Sequence, residues 1–342
     1  MGRKPTTNLN LPRGMRSRKQ RSGKIYYYLD TGATPRKEVP LGPDYPAAVK
    51  KWAEMTVSKP PGELITFRHV AECYVRDVLH TKGAETQKDN LRELKRLYTF
   101  FDESKVALDS IEPLHIRQYL VFRISAKVRA NREKALFSHI WNFARETGLT
   151  SKSNPCAGVK GHKETGRNVY IDDAIYSVVW EVAEPHLRDA MDLAYLTGQR
   201  PADVRKMSQS DIKGGAVSVL QNKGGKLLRV SVEGELASVI DRINAKKVVG
   251  MPLAAKEDGQ RLTKAMLRGA FDRARIAAIL AHPELAAQIK AFQFRDLRAK
   301  AGTDTEEIRG MAAAKDQLGH SSEIMTAQYV RHRRGKLVKP TK

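Results

Sequence analysis

Two polar stretches rich in helix-breaking residues cut the chain into three pieces that cannot share one continuous secondary structure. SKPPGE at 58–63 sets two prolines, which fix φ and lack an N–H, beside a glycine, and so reads as a linker. TSKSNPCAGVKGHKETGR at 150–167 is polar and rich in Gly and Lys, and reads as a second break. At 342 residues the chain has room for two or three domains, and its 41% hydrophobic content suffices for buried cores. The expected architecture is mainly α and multidomain. It comprises a small N-terminal β-sheet module over 1–60, a helical domain over 64–150, and a mixed α/β, mostly helical domain with a β-hairpin over 165–342.

Within the first piece, KIYYYLD at 24–30, the turn-like TGATP and then KEVPLG read as short strands joined by a turn, with a helix following over 46–55. A disordered basic tail is the alternative, but Tyr26, Tyr27 and Tyr28 favour a folded module with a basic face. The second piece carries helical patterns over 66–80, 85–101, 113–124 and 130–147. In the last of these, Leu136, Ile140 and Phe143 recur at i, i+4 and i+7 and so share one face. Pro113 suits the first turn of its helix. In the third piece, AVSVLQNKGGKLLRVSV at 216–232 holds two alternating runs around a Lys-Gly-Gly-Lys turn, which predicts a hairpin.

Charge narrows the partner. Sixty-one Lys and Arg against 38 Asp and Glu leave a net charge of +23. Such an excess suits a nucleic acid, because each neutralised phosphate releases counterions. The first 24 residues hold eight basic side chains and no acid, and the last twelve hold six Lys or Arg and no acid. Candidate DNA-binding residues are Arg3, Lys4, Arg16, Arg18, Lys19 and Lys24 in the first piece, with Arg92, Lys95 and Arg132 in the helical piece; a solvated face is the alternative for each. Cys73 and Cys156 are too few for a disulfide framework or a zinc finger. No apolar run approaches the roughly 20 residues that span a bilayer, and the N-terminus lacks the apolar stretch of a signal peptide. A soluble, cytoplasmic protein that does not enter membranes is expected.

Four parts of the third piece carry groups suited to phosphoryl transfer. In YLTGQRPADVRK, Gly198 can end one helix and so set Arg200 near the start of the next. The hairpin turn offers Lys223 and Lys226. FRDLR places Arg295 and Arg298 on one helical face. In LGHSSEIMTAQY, His320 precedes Tyr329 by nine residues. Asp203, one turn after Arg200, either orients that arginine or serves as a solvated or capping acid. Asp172 and Asp173 are adjacent and read as a helix start rather than a metal site.

Taken singly these are ordinary residues, but their order and spacing over 168–331 resemble the tyrosine recombinases of the phage integrase type. That family carries an Arg in T-G-x-R, a hairpin Lys, an H-x-x-R pair, an L-G-H and a Tyr nine residues further on. The resemblance implies a catalytic set of Arg200, Lys223, Arg295, Arg298, His320 and the nucleophile Tyr329. It also implies that 1–60 is an arm-type DNA-binding domain like that of lambda-type integrases, and that 64–150 is a SAM-like core-binding domain. Expected partners are double-stranded DNA at core and arm sites and further copies of the chain, as a homotetramer on DNA. DNA-bending and directionality proteins are further expected partners, and no cofactor or metal is implied. Arg295 departs from the pattern, since the family places His or Lys there and an arginine cannot transfer a proton near neutral pH. Lys226 stays open as an alternative to Lys223. A type IB topoisomerase, or a DNA-binding protein that keeps the fold without catalysis, are the alternative functions.

The chemistry fits these residue types. Two guanidiniums can grip the non-bridging phosphate oxygens and stabilise the growing charge. A tyrosine hydroxyl of ordinary pKa about 10 needs nearby cations to ionise, and a lysine can protonate the leaving 5′ oxygen.

Overall fold

A computed structural model describes residues 11–12, 14–32, 36–56, 64–102, 106–246 and 252–330. Arg3 and Lys4, the linker expected at 58–63 and the basic stretch 331–342 lie outside the described residues. The chain divides into two compact units, Met1–Thr165 and Gly166–Lys342.

The first unit begins with β1 (Met15–Lys19), β2 (Ile25–Asp30) and β3 (Glu38–Gly42), an antiparallel sheet in that order. β1 falls where the sequence shows basic residues ahead of the first expected strand. Its alternation explains why it is a strand. Met15 pairs with Leu29, Arg16 with Tyr28 and Arg18 with Tyr26, and paired residues share a face of the sheet. Met15 and Leu29 are buried, while Arg16 and Arg18 stand on the other side with Tyr26 and Tyr28. Helix α1 (Tyr45–Thr56) covers the inner side and buries Ala48, Val49, Trp52 and Ala53.

Helices α2 (Phe67–Asp77), α3 (Ala84–Phe101), α4 (Pro113–Phe122) and α5 (Lys127–Glu146) follow close to the expected spans. Thr66 caps α2 by accepting from the His69 N–H, and Pro113 occupies the first turn of α4 behind a Glu112–His115 capping box. Phe67 stacks on Phe137 at 4.6 Å between centroids, with Phe101 also packed against both. The buried carboxylate of Glu133 accepts from the Tyr119 hydroxyl at 2.7 Å and from two Arg123 nitrogens at 2.8 and 2.9 Å. Three donors offset the cost of removing that charge from water.

Two features of this unit go beyond what the sequence shows. The sheet, α1 and α2–α5 contribute to one apolar cluster, from Met15 and Trp52 to Phe67 and Trp141. The polar stretch after α5 is an ordered strap as far as Thr165. Asn131 binds His162 through its N–H and its carbonyl, Trp141 Nε1 donates to Lys152 O, and Cys156 is buried. Polar side chains and exposed carbonyls give this stretch the composition of a linker, but they are met by polar groups on α5.

The second unit comprises α6 (Asp173–Glu181), α7 (Pro185–Thr197), α8 (Pro201–Val204), β4 (Ile212–Lys213), β5 (Ala216–Leu220), β6 (Leu227–Ser231), α9 (Gly234–Asn244), α10 (Lys264–Ala281), α11 (Ala286–Ala291), α12 (Asp296–Leu318) and α13 (Glu323–Ala327). β5 and β6 are the expected hairpin, and β4 adds a short third strand. α7 is the central element, burying Leu187, Ala190, Met191, Leu193 and Ala194 against α9, α10 and α12. Asp172 caps α6 by accepting from Ile175 N at 2.9 Å, in line with the expected helix start. α12 breaks at Gly310, whose φ of 84° lies in the region open to glycine.

A buried cation ties α12 to its neighbours. Lys300 is 1% exposed, and its ammonium meets Asp173 at 2.5 Å and Asp304 at 3.0 Å. The rings of Tyr170 and Tyr195 face it at 5.3 and 5.0 Å, and both hydroxyls donate to Asp304. Burial alone would lower this lysine's pKa, but the bonds to Asp173 and Asp304 prevail and raise it.

Removing the centre of the first core should be costly. We expect Phe67→Ala to destabilise the first unit by about 3–5 kcal/mol, read from the urea midpoint by circular dichroism. Leu114→Ala, at an exposed position of α4, should shift it by no more than about 0.5 kcal/mol.

Candidate active site

The second unit brings the separated cationic segments together through its helix ends. α7 stops at Gly198, which takes the left-handed conformation (φ 68°). Arg200 then becomes the N-cap of α8, with Pro201 in the first turn. α12 likewise ends at a left-handed glycine, Gly319 (φ 68°), immediately before His320. An added Cβ on Gly319 would lie 2.8 Å from the Leu228 side chain and 2.9 Å from the Gln221 amide, so a larger residue there would displace these hairpin side chains as well as strain the backbone.

Arg298 joins these two helix ends. It is 2% exposed, and its Nη1 donates to Gly198 O while Nη2 donates to Leu318 O, each at 2.7 Å. It thereby satisfies carbonyls at the C-terminal ends of α7 and α12, where a cation is also favoured by the helix dipoles. Nη2 also donates to His320 Nε2 at 3.0 Å. Burial first, and then the charge of Arg200, bring the Arg298 pKa down to about 10, so it stays cationic at neutral pH.

His320 is held as a neutral ring. Its Nε2 accepts from Arg298, so the proton resides on Nδ1 and is donated to Thr326 Oγ1 at 3.0 Å. Thr326 in turn donates to Ser322 O at 3.3 Å. The pKa of His320 falls to about 4, from burial first and then from the charges of Arg298, Arg200 and Lys226. Its Nε2 is thus an acceptor, and donation from that atom requires a second ring proton.

Tyr329 follows α13 and is half-buried. Its ring lies 4.9 Å from the His320 ring and 5.4 Å from the Arg298 guanidinium carbon. Arg200 is partly exposed. Its Nη1, together with Arg298 Nε and Asp203 Oδ2, is buried without a hydrogen-bond partner among the described residues. Buried groups of this kind are uncommon in folded proteins. Among the described residues Trp180 Nε1 and Arg275 Nε are unpartnered as well; the two such donors of this site belong to the arginines that the sequence pattern groups with Tyr329.

Other expected residues sit differently. Lys223 and Lys226 are both exposed on the hairpin turn, and Lys226 is the one whose charge acts on His320. Arg295 is exposed at the N-cap of α12 and makes no hydrogen bond or ion pair among the described residues. Its neighbour Asp296 is buried, binding Arg167 at 2.6 and 2.7 Å and the Gln293 N–H at 2.8 Å. Asp203 is buried rather than solvated, and its Oδ1 accepts from Asn222 N at 2.9 Å in the hairpin turn instead of pairing with Arg200.

The basic residues of the first unit fall into two groups. Arg16, Arg18, Lys19 and Lys24 are exposed on the sheet or its turn, with Arg16 paired to Asp30 at 2.9 Å and Arg18 to Glu38 at 2.6 Å. Arg92 pairs with Asp89, and Arg132 lies 3.6 Å from Glu164. Lys95 instead sits over the Tyr45 ring at 4.9 Å and lines a cavity of about 490 Å³ between α1, α2 and α3. The residues that sequence reasoning misses are neutral amides: Gln199, Gln221 and Gln317 are bonded between the end of α7, the end of α12 and the hairpin. They carry no charge and no motif that would single them out.

Comparisons with known proteins bear on the same region. Residues 173–335 match the phage integrase family. The integrase of Enterobacteria phage 434 is 28% identical over 186 residues, which are 52% of this chain and 51% of that protein; the chain thus matches about half the length of its curated relatives. A lambda integrase tetramer bound to a Holliday junction aligns over 96% of this chain and 98% of its own, with a TM-score of 0.70 and 22% identity. The Tn1549 transposon integrase, in complex with circular intermediate DNA, aligns over 78% and 96%, with a TM-score of 0.64 and 17% identity. At these identities the likeness establishes the fold: mainly α, with a small N-terminal β module, a helical segment and a mostly helical unit that contains a hairpin.

The neutral His320 has a consequence for stability. Its folded pKa, about 4, lies below the ordinary value of about 6.5, so the unfolded chain binds a proton that the folded one refuses. Stability from this group is therefore full above about pH 6.5 and is lost as pH falls toward 4. The urea midpoint of the wild type should drop across that window, and His320→Gln should flatten the drop. Equal pH slopes in the two proteins would rule out the buried neutral ring.

Proposed function

We propose that this protein cuts and rejoins DNA strands at specific sites through a 3′-phosphotyrosine on Tyr329, a reading supported by the match of residues 173–335 to the phage integrase family. The observation that carries the reading is the pair of unpartnered buried donors, Arg200 Nη1 and Arg298 Nε, in a site that also holds Tyr329. Donors fixed in place before substrate arrives suit an oxyanion whose charge grows in the transition state.

Arg200 and Arg298 hold the non-bridging oxygens of the scissile phosphate, and the Tyr329 oxygen attacks phosphorus. A bond forms from that oxygen to phosphorus as the bond from phosphorus to the 5′ oxygen breaks. The tyrosine proton passes to solvent, and a lysine of the hairpin turn protonates the departing oxygen. Lys223 is the sequence match for this acid, and Lys226 is the lysine whose charge reaches His320; separate Lys223→Ala and Lys226→Ala variants distinguish them. Rejoining reverses the steps with the 5′ hydroxyl of another strand, so the phosphotyrosine conserves the bond energy without ATP. Arg295, exposed at the start of α12, contributes charge rather than a proton. Each step uses side chains of this chain alone.

In this reading residues 165–342 form the catalytic domain, 64–150 the core-binding domain and 1–60 the arm-type DNA-binding domain. The exposed side of the sheet, with Arg16, Arg18, Tyr26 and Tyr28, supports arm binding. Arg92 and Arg132 extend the basic surface over the helical domain, whereas Lys95 is committed to the Tyr45 ring. The chain acts as a tetramer on paired DNA sites, in keeping with the lambda integrase tetramer bound to a Holliday junction. DNA-bending and directionality proteins assist it on the DNA of a bacterial host, for integration and excision of a mobile element in the cytoplasm.

Two experiments test the proposal. On nicked suicide DNA the wild type should accumulate a covalent adduct, Tyr329→Phe should give none, and Arg200→Ala should cut about 10²–10³-fold more slowly. No adduct from the wild type on its own site would favour a binding protein that keeps the fold. Relaxation of supercoils without junction intermediates would favour a type IB topoisomerase. On arm-site DNA, replacing Arg16 and Arg18 with alanine should reduce the slope of log K against log salt by about 1 for each phosphate left unneutralised, while core-site cleavage persists. An unchanged slope would remove the sheet from the interface.

A further inference from the structure

The hairpin that carries Lys223 and Lys226 is joined to the arginine site by a chain of side-chain amides. Gln221 ends the first strand of the hairpin, and its side chain is 3% exposed. Its Nε2 donates to Gln199 Oε1 at 2.8 Å and to Leu318 O at 3.1 Å. Gln199, fully buried, donates to Thr197 O at 2.9 Å and Gln317 O at 3.2 Å. Gln317 donates onward to Leu196 O at 3.2 Å and accepts from Thr305. Three glutamines thus lace together the end of α7, the end of α12 and the hairpin.

Gln221 has a second set of bonds that gives this lacing a direction. Its backbone N–H donates to Lys226 O at 2.9 Å, and its carbonyl accepts from Gly225 N at 3.2 Å. The same residue therefore closes the turn with its backbone and anchors it with its side chain. The anchor point, Leu318 O, is the carbonyl that also receives Arg298 Nη2. Beside it, Asn222 N is held by Asp203. The turn itself offers little rigidity of its own, since Gly224 and Gly225 both take positive φ, 96° and 64°.

Building on the proposed strand-transfer reaction, we propose that Gln221, seated on Gln199, is a positioning residue that registers the lysine turn against the phosphate-gripping arginines. A general acid works only within hydrogen-bond reach of the leaving atom, and an error of about 1 Å can cost on the order of 10²-fold in rate. A neutral amide suits this role because it fixes distance without adding charge beside Arg298 and His320. A carboxylate or an ammonium at the same place would bias both.

The test separates leaving-group protonation from the rest of catalysis. Covalent adduct formation is measured with the full chain on nicked suicide DNA that carries either the natural 5′ oxygen or a 5′-bridging sulfur at the scissile phosphate. Sulfur leaves as a thiolate and needs no acid, since thiols ionise near pH 8.5. Gln221→Leu should form adduct about 10- to 100-fold more slowly on oxygen, bind DNA as the wild type does, and return to within about 3-fold of wild type on sulfur, where the acid is bypassed. Gln199→Leu/Gln221→Leu, which removes both partners of the bond between the two side chains, should show the same pattern and serves as a second variant beside the single one. Equal slowing on both substrates would make the amides a structural support of the whole site, and unslowed cleavage of the oxygen substrate would show that they do not position the turn; either overturns the proposal. Absence of adduct from the wild type on both substrates would instead count against the strand-transfer reading itself.

Discussion

The site of the second unit depends on one buried guanidinium. Arg298 reaches the carbonyls of Gly198 and Leu318, and so holds the ends of α7 and α12 at a fixed separation. Helix C-termini leave carbonyls without partners, and a buried arginine leaves donors without partners. Each deficiency answers the other, and the result sets Arg200, two residues past one helix end, near His320, immediately past the other. Because Nη1 and Nη2 are occupied in this way, Nε is left buried and unpartnered. The interaction that builds the fold locally also leaves a donor available for an anion.

Charge in this unit is arranged in two styles. Lys300 is buried with acids and phenol rings around it, and the bonds to Asp173 and Asp304 raise its pKa against the effect of burial. Arg298 is buried near another cation and accompanied by carbonyls and a neutral histidine, so its pKa falls. The first arrangement is electrically closed and serves packing. The second is less fully compensated, since the charge of Asp203 acts on Arg298 against burial and the charge of Arg200. An excess of +23 over the chain provides long-range attraction for a polyanion, but it is this local imbalance that would single out one phosphate.

Much of this is legible in the sequence because it rests on local rules. The Thr197-Gly198 break, Pro113 at a helix start, Asp172 as a cap and the hairpin around Gly224 and Gly225 all follow from backbone preferences of single residues, and the structure has each of them. The strand β1 escapes such rules because Arg16, Arg18 and Lys19 mask a period-2 alternation with only one strong apolar residue, Met15. The strap after α5 has the look of a linker because its hydrogen bonds run to α5 side chains 11 to 31 residues earlier, a spacing that no local turn rule covers. Composition cannot distinguish a polar stretch that faces water from one that faces Asn131.

The sequence by itself determined the order and spacing of Arg200, the turn lysines, Arg295, Arg298, His320 and Tyr329, along with the local breaks that put them at helix ends. Those are one-dimensional properties, set by glycine and proline geometry and by periodicity. How these groups differ from one another is a matter of tertiary packing. It buried Arg298 while exposing Arg295 three residues away, made His320 an acceptor with a low pKa, turned Asp203 toward the Asn222 N–H, and threaded Gln199 and Gln221 between segments far apart in the chain. Burial and hydrogen-bond partnership depend on which distant atoms pack alongside, and a single chain carries no local signal of that.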